Sequence, residues 1–238
     1  MNNKDRVSDC LHSKNTLNSI KETTSLIADR VRGMIAGNIL GDMVGLPLEG
    51  MKPTLKSTPI ILEKIEAARL IQEHLAKYNC NIYSDDTSMF IALIYSLLEK
   101  GKVDKENELN HYRKWLLSGK YTPDGKPFGY GKTTYKAVTT GAPGSTREEN
   151  GNGALMRSSI ITAFYLDKSD KTLEEASAES ASVTHAHPIS IFSNIIYNIL
   201  LKYTILGKPL HRTIDELYDK FRDVMPDIND IFFDPIIY

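Results

Sequence analysis

The run Met89-Phe90-Ile91-Ala92-Leu93-Ile94-Tyr95-Ser96-Leu97-Leu98 is apolar on almost every side of a helix, and two adjacent carboxylates, Asp85 and Asp86, stand just before it. A helix that is apolar all round has to be covered all round. The segment therefore predicts a buried central helix whose N-terminus is buried with it. Ser or Asp is a routine N-cap, and one carboxylate in the first turn is explained by the positive end of the helix dipole. Two are harder to explain, because like charges repel and each is costly to bury without a counter-charge. A hard divalent cation with oxygen ligands would resolve the conflict. Ser84, Asp85 and Asp86 offer oxygen donors in consecutive residues. On these residues alone, capping and metal binding both stay open.

The rest of the chain supplies the cover. Apolar residues recur at helical spacing and strand-like alternation is scarce, which predicts an all-α fold. Helices are expected over about 27–45, 60–78, 86–100, 105–118, 133–140, 152–167, 171–185, 188–206 and 211–224. Gly101, Gly119 and Gly207 read as stop signals. The Gly- and Pro-rich stretches 121–131 and 141–153 read as loops between helices, where binding residues tend to sit. Residues 1–25, rich in Asn, Lys, Ser and Thr, read as a flexible N-terminal extension. That leaves 26–238 as one helical domain, since 238 residues suffice for one full core and are few for two.

Gly33, Gly37, Gly41 and Gly45 recur every fourth residue and would clear one stripe of a helix. Each interior glycine costs about 1 kcal/mol relative to alanine, so a backbone or a ligand is expected to pack closely there. A membrane dimer stripe would need an apolar twenty-mer, and Arg30, Arg32 and Asp42 argue against one. Pro47 disfavours helix at Leu46, which puts Glu49 just past the helix end, either as a solvated loop charge or as a site residue.

Two glycine loops follow. Phe128-Gly129-Tyr130-Gly131-Lys132-Thr133-Thr134 precedes a short helix, and Asn150-Gly151-Asn152-Gly153-Ala154-Leu155-Met156-Arg157 opens another. Each is either a plain turn or a place where backbone approaches a ligand closely. The second brings backbone N–H groups together in a way that suits a phosphate. His185 and His187 fall at a helix junction, but no Cys or further His follows at a zinc spacing.

The net charge is −1, with Lys and Arg spread along the chain, so no nucleic-acid or membrane surface is expected. Cys10 and Cys80 form no C-x-x-C pair, and the first residues lack the apolar run of a signal peptide. Both features predict a cytoplasmic, reducing setting.

Taken in order, these motifs resemble the ADP-ribosylglycohydrolase family: Gly33-x-x-x-Gly37 through Gly41-Asp42-x-x-Gly45 with Glu49, Ser84-Asp85-Asp86-Thr87, Gly129-Tyr130-Gly131-x-Thr133-Thr134, Gly151-Asn152-Gly153-Ala154-Leu155-Met156-Arg157-Ser158 and Thr184-His185-x-His187-Pro188. The resemblance covers about residues 30–205. It implies a compact orthogonal helical bundle and a binuclear Mg2+ or Mn2+ centre. The implied reaction is hydrolysis of the glycosidic bond joining ADP-ribose to a protein side chain or small acceptor. It further implies that Ser84, Asp85 and Asp86 ligate metal, with Asp86 and Glu49 as catalytic residues and Glu49 handling the proton. Tyr130, Gly131, Gly151, Asn152, Gly153 and His185 would bind the substrate. The partner would be an ADP-ribosylated protein or a small ADP-ribose conjugate.

The family closes its metal site with a late Asp-x-Asp-Thr segment, and residues 226–238 hold acids at other spacings. The expectation is a domain incomplete at its C-terminus, with metal partly bound and the missing ligands left to water or a second chain. The alternative expectation is a catalytically impaired ADP-ribose-binding or interaction module.

Overall fold

A computed structural model describes residues 3–46 and 83–223, with Arg69, Gln72, Glu73 and Ala76 as isolated positions between them; side chains are described from Thr23 onward. Those four positions are helical, and apart from them the expected helix at 60–78 lies outside the described residues, as do Glu49 and the residues after 223.

Helix α1 runs from Asn3 to Gly45. It begins well before the expected start near residue 27, and the reason is local. No Gly or Pro occurs before Gly33, so nothing breaks the backbone ladder where apolar periodicity is weak. Helix α2 spans Asp85–Lys100 and α3 spans Lys105–Ser118. Gly101 and Gly119 end them with φ of 70° and 68°. At Gly119 a Cβ would sit 1.7 Å from the Gly125 carbonyl oxygen, so no other residue fits that turn. Helix α4 spans Lys132–Thr140 and ends at Gly141, φ 76°.

The expected helix at 152–167 is not continuous. A 3-10 turn at Asn152–Ala154 is followed by turns to Ser158, and α5 covers only Ser159–Phe164. The Gly153 carbonyl accepts from the Arg157 guanidinium. A continuous helix would give that carbonyl to the Arg157 backbone N–H instead. Helix α6, Asp170–Ala181, stops short of the expected 185 because the chain leaves it to pair with the 141–153 loop. Gly144 N–H donates to the Thr184 carbonyl at 2.9 Å, and Ala186 N–H donates to that of Gly144 at 2.6 Å. Helices α7, Pro188–Ile205, and α8, Leu210–Phe221, complete the fold. Among the described residues there is no strand, only the isolated bridge between Gly144 and His185.

Helix α2 lies at the centre, as its composition predicts. Leu93 and Leu97 pack into one apolar cluster with Ile161, Leu173, Ile196, Ile199, Leu217 and Phe221, drawn from α5 to α8. Met89 and Ala92 face another cluster, formed with Tyr112, Trp115 and Val138 of α3 and α4. The cover is incomplete along one edge, where Tyr95 and Leu98 are 52% and 72% exposed. No helix of the described residues is long and apolar enough to cross a membrane.

Candidate active site

The N-terminus of α2 forms one wall of a cleft. Ser84 and Asp85 are 5% and 6% exposed, and Asp86 is half-buried. Ser84 is the N-cap, its hydroxyl accepting from Asp86 N–H at 3.3 Å. The same hydroxyl donates to the Asp42 carboxylate at 2.8 Å. Asp42 Oδ2 also accepts from Ser84 N–H at 2.9 Å and from Thr87 N–H at 3.1 Å. A carboxylate from α1 therefore caps α2 from across the fold. It satisfies backbone donors that the helix itself cannot, and it sits at the positive end of the dipole.

Sequence reasoning gave Asp42 no part in the site: it appeared there within the Gly41-Asp42-x-x-Gly45 motif and as an argument against a membrane helix. The signal available was its place one residue after Gly41 of the glycine stripe, which says nothing of a partner on α2. The stripe itself behaves differently from the expectation of close helix packing. Among the described residues, nothing lies within 4 Å of a Cβ placed at Gly33, Gly37, Gly41 or Gly45. Gly41 and Gly45 instead border the cleft.

The facing wall is built from the two glycine loops. The cleft, about 470 Å³, is lined by Asp42, Ser84, Asp85 and Asp86 on one side and by Gly129, Gly131, Thr133, Thr134, Gly151, Asn152 and Gly153 on the other, with Met156 and His185. That volume lies within the roughly 300–1,000 Å³ of small-molecule sites. Gly129, at φ 88°, comes so close to α2 that a Cβ would lie 2.6 Å from Asp85 Oδ1. At Gly153 a Cβ would lie 2.7 Å from Thr134 Oγ1 and 2.8 Å from His185 Cε1. Glycine is required at both points by close approach.

His185 is 2% exposed, and its Nδ1 is 2.9 Å from Thr184 Oγ1. Burial, reinforced by the Arg157 charge and only partly opposed by Glu149, pushes its pKa down to about 4. It is therefore a neutral imidazole at physiological pH. His187 takes a different part, capping α7 by accepting from Ile189 N–H at 3.3 Å. The pair does not converge on a zinc-like cluster, and no group of three His, Cys, Asp or Glu with metal-binding geometry occurs among the described residues.

Of the residues predicted from sequence, Ser84, Asp85, Asp86, Gly131, Gly151, Asn152, Gly153 and His185 come together in this one cleft. Tyr130 does not line it. Its ring stacks on Tyr135 at 6.1 Å and meets Trp115 edge-on at 5.6 Å, because flanking glycines let the backbone face the cleft while the side chain packs on the core. Thr133 and Thr134 line the cleft in addition to the residues expected.

Among the described residues, the lining carries three carboxylates, Asp42, Asp85 and Asp86, and no Lys or Arg. A site of this composition repels anions unless a cation joins them. Its oxygen donors suit a hard divalent ion in kind. Asp85 and Asp86 would hold such an ion, with Ser84 beside them already engaged to Asp42.

An all-helical fold with an acidic, glycine-walled cleft at a buried helix N-terminus defines a small-molecule site facing a carboxylate pair. The ADP-ribosylglycohydrolase family model matches residues 23–234, and the chain belongs to that family. It is 26% identical over 195 residues to an ADP-ribosylarginine hydrolase of Serratia proteamaculans, covering 79% of this chain and 50% of that protein. It is 26% identical over 217 residues to an ADP-ribosylhydrolase of Xenopus tropicalis, covering 83% and 57%. It is 26% identical over 198 residues to the ADP-ribosyl-[dinitrogen reductase] glycohydrolase of Rhodospirillum rubrum, covering 80% and 63%. The chain thus spans half to under two thirds of the length of these relatives.

Proposed function

We propose that this chain is a Mg2+- or Mn2+-dependent glycosidase that releases ADP-ribose from a protein side chain or a small conjugate. The observation carrying this reading is the cleft itself. Asp85 and Asp86 face the Gly129–Gly131 and Gly151–Gly153 loops across a nucleotide-sized space, in a chain of a family whose relatives are named for this reaction.

Each wall has a part. Gly131, Gly151 and Gly153 carry no side chains, so a flat or anionic ligand can lie directly on backbone. His185, neutral and buried behind Gly153, presents an uncharged ring to the ligand. Asp85 and Asp86 would hold the cation, which would supply polarisation of water and of the ribose hydroxyls. Asp42 keeps the α2 end in register by holding Ser84 and Thr87. Glu49, outside the described residues, is the carboxylate we assign to the catalytic proton. The reaction passes through a transition state with positive charge at the anomeric carbon, which an acidic wall favours electrostatically.

The test is ADP-ribose release from mono-ADP-ribosylated protein in saturating Mg2+. Release by the wild type, abolished in Asp85→Ala/Asp86→Ala, is expected. Tight ADP-ribose binding without release would favour a binding module, and neither binding nor release would refute the assignment.

A further inference from the structure

We propose that Glu108 is a positioning residue of the cleft, acting through Arg157 on the Gly153 carbonyl and so fixing the glycine wall. The inference rests on the reading of the cleft given above.

That wall needs fixing from behind. Asn152–Ala154 is a single 3-10 turn without side-chain capping. Its Gly153 carbonyl is held by the Arg157 guanidinium, which lies wholly within the protein. The second guanidinium nitrogen, Nη2, donates to the Ser180 carbonyl of α6 at 3.3 Å. The group also lies 4.7 Å from the Tyr112 ring centroid. Glu108, likewise fully buried, places Oε1 3.7 Å from Arg157 Nη2. That oxygen accepts from the Tyr112 hydroxyl and from the Ser180 hydroxyl, both at 2.8 Å. Ser180 therefore ties the pair together, its carbonyl on Arg157 and its hydroxyl on Glu108.

A buried cation stripped of its partner is strongly unfavourable, whereas an apolar pair of similar volume would join α3 to the 155–158 turn at least as well. What an apolar pair could not do is hold the Gly153 carbonyl from behind the cleft wall. The charged and titratable groups facing Glu108 are Arg157 from the 155–158 turn, Tyr112 on its own helix and Glu179 on α6. Burial outweighs the Arg157 charge and raises the Glu108 pKa to about 7. A raised carboxyl pKa means that this group's contribution to stability is present at acid pH and lost as pH rises through about 7. Its contribution to the cleft runs the other way, because only the carboxylate compensates Arg157. Stability and wall order should therefore part company with pH, which a purely structural role would not produce.

The experiment is amide hydrogen exchange on the full chain without ligand, at pH 6 and pH 8, with the intrinsic chemical rate divided out. In the wild type, opening at residues 152–156 should be roughly tenfold more frequent at pH 6, with α2 and α7 unchanged. Glu108→Gln should show the looser wall at both pH values. Because the wild-type arm needs no variant, a Gln form that fails to fold leaves the test intact. Exchange at 152–156 that ignores pH, or loosening spread evenly over the chain, would overturn the proposal. A parallel titration with ADP-ribose separates the two readings. Affinity that falls with the wall at pH 6 supports both. A wall that loosens in a chain binding no ADP-ribose at either pH supports the role of Glu108 and refutes the ligand assignment.

Discussion

Gly129→Ala tests the claim that the cleft works by bringing a glycine turn against a site carboxylate. Two costs are built into the position. An L-residue at φ 88° is strained by about 1–2 kcal/mol. Its methyl would also meet Asp85 Oδ1 at 2.6 Å and Ser84 Cβ at 3.3 Å. The carboxylate can relieve the first contact only by turning out of place. Gly141→Ala is the matched control. Its φ of 76° carries the same backbone strain, yet its methyl would meet only Arg113 Nη2, at an ordinary 3.6 Å. Strain of about 2 kcal/mol lowers Tm by roughly 4–8 °C in a chain of this size, and both variants should show it by calorimetry. Only Gly129→Ala should lose function. Misplacing a catalytic group by about an ångström can cost roughly a hundredfold, so ADP-ribose release should fall by about that factor and Mg2+ affinity with it. Equal loss of activity in the two variants, or full activity in Gly129→Ala, would refute the reasoning.

Asp42→Asn should destabilise by about 2 kcal/mol, because an amide has one accepting oxygen where three donors converge, so that it cannot also accept from the Ser84 hydroxyl, and because it removes the charge from the helix N-terminus; thermal melts would show it, and an unchanged Tm would contradict the cap. Gly153→Ala drives a methyl into Thr134 and His185, 2% exposed each, and overpacking of this kind costs about 1–3 kcal/mol; ADP-ribose affinity should fall, and calorimetry showing none of this would count against the close wall. His185 should titrate near pH 4 by NMR. Its depressed pKa means that its stability contribution is present above about 6.5 and lost as pH falls toward 4; a midpoint near 6.5 would contradict its burial.

The central helix was legible because an apolar run has one simple explanation, and Met89, Leu93 and Leu97 do face packed helices on two sides. The turns that end helices were legible too, since Gly101, Gly119 and Gly207 adopt conformations other residues avoid. The carboxylate pair and the glycine loops were legible as chemistry, although their meeting in one cleft is a property of the fold. Three features were hidden. Asp42 acts across the fold on α2, and no local spacing announces that. The break after Ala154 depends on a side chain, Arg157, competing for a backbone acceptor. Tyr130 sits between cleft-lining glycines but spends its ring on Trp115 and Tyr135. A glycine-flanked motif shows where backbone approaches a ligand, and does not show which way the intervening side chain points.

The central claim is that an acidic cleft takes an anionic ADP-ribosyl group together with a cation. Calorimetric titration of the chain with ADP-ribose, in Mg2+ and again in excess chelator, tests it most directly. With Asp42, Asp85 and Asp86 in the lining and no basic side chain among its described residues, binding should appear in Mg2+ and be lost in chelator, and Asp85→Asn should weaken it. Equal affinity with and without the metal, or no binding in either, would contradict the account.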